Sequence, residues 1–359
     1  MTEIKIVIEK CRVIPVFFSK INYRYTPMHK VVCIFILFSV ISFELSAQDK
    51  RDYAEELKPA QALLSQGHYK DAYQLYYQSA KINKNPLAEF TMALFYKYGW
   101  GRPVNKVIAC SWHHKAAESN IPAAQHFYAD CLREGFPKKR APEKAAIWYK
   151  RAADNGHIIS LCSLAGLYIA GDGVVKDTQH GLALCKQAAA TGISEAMLRV
   201  AKFHLMEDPK LKNEEEAKYY LLQAAKRKNI KAMVMLAEIH RDGINGKHID
   251  HIKARQLFEF AASLGNEPSY FQTGKLYFYS PKDPLTNALP ADALAKSYLW
   301  LSAAEKRSVN NEEKKKAKKL LKSVAMQMPV SWEESLDKKL SEHFRRYPAT
   351  NDKINARAQ

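Results

Sequence analysis

With 359 residues, 47% of them hydrophobic, and a formal charge of +18, the chain is too apolar for wholesale disorder. Its charge favours polyanions or anionic membrane surfaces over basic partners, although an ordinary soluble protein of high pI carries as much. The length would suit two domains, but internal repetition argues for a single array.

Residues 1–47 read as a targeting segment. Val31–Phe43 is an uncharged apolar run of 13 residues. A spanning helix needs about 20, whereas a signal-peptide core is this short. Met28-His29-Lys30 supplies a basic head, and Ala47 a cleavage position, with Leu45 larger than the usual residue two places earlier. The expectation is a native start at Met28 and loss of the segment. The alternative is an uncleaved inner-membrane signal anchor beginning at Met1. Both place the body outside the cytoplasm, periplasmic or secreted.

From about residue 53, small residues return every 36 positions. Ala88, Ala124, Ser160, Ala196 and Ala232 form one series, and Ala93, Ala129, Ala165, Ala201 and Ala237 another. Such a period marks stacked supersecondary units. The stretch from Ile159 to Gly192 shows the pattern best. Ile159, Leu161, Leu164 and Tyr168 give helix A an apolar stripe. Gly171-Asp172-Gly173 breaks it, Asp177 or Thr178 caps helix B, and Gly192 ends that helix. Asn120, Gly156 and Gly265 are the matching terminators. The alanine series, continued by Gly274, and a second series of Ala109, Ala145, Gly181, Ala217 and Ala254 fit helix crossings too close for large side chains. Tyr96, Trp112, Trp148 and Phe258 read as core between them.

Leu167-Tyr168-Ile169-Ala170-Gly171-Asp172-Gly173-Val174 followed by Asp177, Leu94–Gly101, and Ala145-Ala146-Ile147-Trp148-Tyr149-Lys150-Arg151-Ala152-Ala153 resemble Sel1-like repeats, relatives of tetratricopeptide repeats. The resemblance implies an all-α, α/α superhelical solenoid of about seven units over 48–308. Capping helices are expected within 309–346 and a flexible tail over 347–359. Glu207-Asp208-Pro209 departs from the glycine break, and Ser280–Pro284 opens a longer loop before Pro290.

Cys11 and Cys33 fall in the targeting segment. Cys110, Cys131, Cys162 and Cys185 remain, and four cysteines allow three pairings. Cys110 and Cys131 are equidistant from the turn near Asn120, and Cys162 and Cys185 from the turn near Val174. Antiparallel helices would hold each couple at one height, so Cys110–Cys131 and Cys162–Cys185 are the expected bridges. Small buried thiols are the alternative.

Enzyme signatures are thin. Ser335-Leu336-Asp337-Lys338 matches Ser-x-x-Lys but lacks its companion motifs. His113-His114 and His248/His251 lack a third ligand at metal spacing. Gly243-Ile244-Asn245-Gly246-Lys247 is too short for a phosphate loop, and no dinucleotide fingerprint is present. No catalytic residue, metal or cofactor is therefore expected.

In tetratricopeptide-like stacks helix A lines the concave side. That phase selects Phe90, Lys97 and Tyr98; His126, Asp130 and Arg133; Lys202; Lys231, Glu238 and Arg241; and Phe271, Lys275 and Tyr279 as a groove for a protein or peptide partner. The Lys314–Lys322 segment suits either an anionic envelope surface or a solvated charged cap. Nucleic acid is set aside, because export removes it. The functional expectation is a non-enzymatic scaffold or adaptor in the bacterial envelope. A secreted host-interaction factor is the alternative, and a β-lactam or cell-wall hydrolase a remote second one.

Overall fold

The computed structural model describes residues 52–349 apart from 137, 207 and 244–247. The expected targeting segment, residues 244–247 and residues 350–359 lie outside the described residues. Seventeen α-helices and no strand occur among the described residues. After α1 (Tyr53–Glu56), helices pair in chain order. The pairs are α2 (Lys58–Ser65) with α3 (Tyr69–Lys81), α4 (Pro86–Tyr98) with α5 (Lys106–Glu118), and α6 (Pro122–Glu134) with α7 (Pro142–Asp154). Next come α8 (Ser160–Ala170) with α9 (Thr178–Ala190), and α10 (Ser194–His204) with α11 (Glu214–Lys226). The last two are α12 (Ile230–Asp242) with α13 (His251–Ser263), and α14 (Glu267–Phe278) with α15 (Ala291–Arg307). Helices α16 (Asn311–Ala325) and α17 (Glu333–Arg346) follow. Within this unit each helix packs mainly on its chain neighbours, the contact pattern of a solenoid.

The small-residue series sit at the crossings. Ala93, Ala129, Ala165, Ala201 and Ala237 are fully buried, as are Ala145, Ala217 and Ala254. A Cβ added at Gly181 would lie 2.8 Å from the Ala165 carbonyl oxygen, and one at Gly274 would lie 2.7 Å from Leu301 Cγ. Turn chemistry follows the sequence too. The Asp177 side chain accepts from the His180 amide at 2.9 Å, while Thr178 is a buried first-turn residue. Asn120, Gly156, Gly192 and Gly265 adopt positive φ at the ends of helix B. Without a glycine break, α10 is tied to its loop by His204, whose Nδ1 meets the buried Leu211 carbonyl at 2.7 Å.

A second repeating contact joins helix A to helix B at residues 23 apart. Phe90 meets His113 with ring centroids 5.7 Å apart. His126 meets Tyr149 at 5.3 Å, Cys162 is bonded to Cys185, and Leu198 and Leu221 are buried in one cluster. The same backbone geometry thus accepts aromatic, disulfide or aliphatic chemistry. Cys110–Cys131 instead joins α5 to α6, helix B of one unit to helix A of the next.

The C-terminal helices close the array by burying Ala317 and Val324 of α16 and Leu336 and Leu340 of α17. The chain is held beyond α17 as well. Arg307 donates to the Tyr347 carbonyl, and the Tyr347 ring lies 5.1 Å from that of His343.

Candidate functional site

Two clefts collect six of the thirteen groove residues that the sequence singles out: Lys97, Tyr98 and Asp130 in one, Arg241, Lys275 and Tyr279 in the other. Each lies between the end of one helix A, the start of its helix B and the end of the next helix A. The first, about 270 Å³ among α4, α5 and α6, is lined by Lys97, Tyr98, Asp130, Glu134 and the Cys110–Cys131 bridge. The Lys97 ammonium stands 3.6 Å from the Phe127 ring centroid, a cation–π contact. Phe127 in turn stacks on Phe90 at 6.1 Å. Burial lowers the Lys97 pKa, with Asp130 and Glu134 pulling the other way. Tyr98 is 51% exposed, so the cleft offers an aromatic edge beside a partly desolvated cation.

Asp130 anchors this region. It accepts from the Tyr149 hydroxyl at 2.5 Å and faces His126 Nε2 at 3.6 Å and Arg133 at 3.7 Å. Burial, helped by Asp130, pushes the Tyr149 pKa up. The Ser160 hydroxyl lies between His126 Nδ1 at 2.9 Å and His157 Nδ1 at 2.8 Å.

The second cleft, about 540 Å³ among α12, α13 and α14, is lined by Arg241, Asp242, Arg255, Lys275 and Tyr279. Arg241 is committed internally. Its Nε and Nη2 donate to Asp242 at 2.7 and 2.5 Å, and its Nη1 to Gln272 at 3.0 Å. These bonds hold the Asp242 carboxyl below its usual range.

Lys202, Lys231 and Glu238 are exposed but line neither cleft. His126 and Phe271 correct the sequence reading, since both are buried. They occupy the register of Phe90, which is the A-to-B contact, so a phase carried from unit to unit turned core positions into surface ones. Phe127, His113 and Arg255 were missed as contributors because none recurs with the period. His113 is buried between Phe90 and Phe127, whereas His114 stacks on Tyr128 at 4.3 Å, so the two do not act as a pair.

Ser335 and Lys338 are exposed on α17, and neither lines the clefts. His251 borders the second cleft, and His248 lies in a separate depression with His240 and Lys253. Among the described residues no group of three or more His, Cys, Asp or Glu could hold a metal. Both cysteine couples of the expected register are at bonding distance, with Cα separations of 5.8 and 4.3 Å. Lys315, Lys316, Lys318, Lys319 and Lys322 are exposed on α16. No described helix is long and apolar enough to cross a membrane.

Five consecutive stretches, 86–121, 122–157, 158–192, 194–229 and 230–266, match the Sel1 repeat model. The chain belongs to the Sel1-repeat family. It is 31% identical over 176 residues to a chitin synthase regulator of Saccharomyces cerevisiae, covering 46% of this chain and 25% of the regulator. It is 26% identical over 182 residues to an exopolysaccharide production negative regulator of Rhizobium leguminosarum bv. viciae, covering 49% and 56%. The chain thus spans a quarter of the first relative and about half of the second. A Sel1 repeat protein from Oxalobacter formigenes superposes with a TM-score of 0.53 at 23% identity, over 70% of this chain and 99% of that one. A protective antigen of uropathogenic Escherichia coli strains with an SLR fold gives 0.54 at 19% identity, over 84% and 62%. These structures share the Sel1 solenoid fold. Sel1 repeats generally serve protein–protein contact.

Proposed function

We propose that this Sel1-repeat protein is a non-enzymatic scaffold that holds a protein partner against the ends of its A helices. The observation that carries the reading is the first cleft, where Lys97 over Phe127, Lys106 and the exposed Tyr98 present cation and aromatic together. Such a surface recognises a peptide by stacking, carboxylate pairing and apolar contact. Being preformed, it loses little ordering entropy on binding. The regulator names of two relatives agree with a role exercised through other proteins.

The proposed setting is the bacterial envelope or beyond it. The apolar run Val31–Phe43 and the two bonded cysteine pairs support export, since disulfides persist in oxidising compartments. Immobilised protein should recover a defined partner from envelope extract. Tyr98→Ala with Lys106→Glu, both exposed on the cleft, should lower that recovery at least tenfold, and undiminished recovery would remove this cleft from the proposal.

A further inference from the structure

The second cleft is the register equivalent of the first, four units later. Arg255, Lys275 and Tyr279 stand where Cys110, Asp130 and Glu134 stand in the earlier cleft. The earlier cleft balances Lys97 and Lys106 against Asp130 and Glu134, whereas the later one sets Arg241, Arg255 and Lys275 against Asp242 alone. Asp242 is already bonded twice by Arg241, and the cleft keeps an excess of two cations.

Arg255 lines the cleft with its guanidinium fixed in place. Its guanidinium stacks over Tyr277 at 4.7 Å and Nη1 donates to Ser280 at 2.5 Å. Its Nε is buried and has no hydrogen-bond partner among the described residues. Lys275 is exposed on the same wall, and Ile252 and Tyr279, 60% and 65% exposed, add an apolar edge.

We infer that this cleft is a docking pocket for the carboxylate of an acidic peptide side chain, with an apolar neighbour resting on Tyr279 and Ile252. The charge imbalance argues for an oxyanion, and the apolar edge for a peptide rather than a free anion. The inference deepens the scaffold reading by naming the chemistry of one contact. It uses purified full chain, so it can fail while partner capture through the first cleft survives.

The probe is a fluorescein-labelled random copolymer of Glu and Tyr, with a Lys and Tyr copolymer as control, read by fluorescence polarisation at about physiological ionic strength. Lys275→Glu, an exposed change, should weaken binding of the acidic copolymer at least tenfold, and Arg255→Gln should do so comparably if it folds. A variant with Lys315, Lys316, Lys318 and Lys319 all changed to Gln should bind within twofold of the parent. Equal losses in the cleft and α16 variants would reveal bulk charge attraction and overturn the assignment. Unchanged binding in Lys275→Glu would do the same. Complete displacement of the copolymer by equimolar inorganic phosphate would reassign the pocket to a free anion.

Discussion

At the scale of single residues, buried histidines couple the fold to pH. Burial lowers His113 from 6.5 to about 3, with Lys97 and His126 contributing, and lowers His126 to about 4 against the opposing pull of Asp130. Both are neutral in the fold, while the unfolded chain protonates them near pH 6.5. The unfolded state therefore binds more protons below that pH, and stability falls as pH drops from about 6.5 toward the folded values. Each histidine contributes about 1.4 kcal/mol per pH unit inside that window. His113 carries the clearest signal, because both ring nitrogens are buried without a partner among the described residues. His113→Phe should raise Tm at pH 7 and lose less of it by pH 4.5 than the parent. Parallel Tm curves would contradict the burial argument. Lys228 offers a second test. It holds φ 61° where the matching positions are Asn120, Gly156, Gly192 and Gly265. Lys228→Gly should gain up to about 1 kcal/mol in urea unfolding, because the left-handed strain outweighs the added chain entropy.

At the scale of helices, the crossings set what each position accepts. Gly166 and Gly181 lie in the neighbouring helices α8 and α9, but only Gly181 faces a partner backbone. Gly181→Ala should cost about 1–3 kcal/mol through overpacking. Gly166→Ala, with nothing within 4 Å of the new Cβ, should gain up to about 1 kcal/mol in helix propensity. Urea midpoints moving in the same direction would refute the crossing geometry. The Cys162–Cys185 bridge closes a sequence separation of 23 residues, so Cys162→Ala with Cys185→Ala should lose about 2–4 kcal/mol. A loss that small should leave the helices assembled, since Leu198 and Leu221 fill the same contact one unit later without a covalent link.

At the scale of the whole array, the repeat was legible because its cause is steric and recurs. Every crossing needs a small residue, so Ala93 predicts Ala129, Ala165, Ala201 and Ala237. The cysteine pairing was legible for the same reason, as register fixes height. The clefts were less so. Their walls use the same positions with different chemistry, as with Cys110 and Arg255 or Asp130 and Lys275, and period carries no information about such exchanges. Phe127 stayed hidden because its role depends on Lys97, 30 residues earlier and across a unit boundary. His126 and Phe271 were misassigned because they share the register of Phe90, where side chains meet helix B instead of solvent. Hydrogen–deuterium exchange on the full chain, with and without its captured partner, tests the central claim most directly. Partner binding should protect amides at the cleft-bearing ends of α4, α6, α12 and α14 and leave α9 and α16 unchanged. Protection confined to α9 or α16 would place the interaction elsewhere and contradict the account.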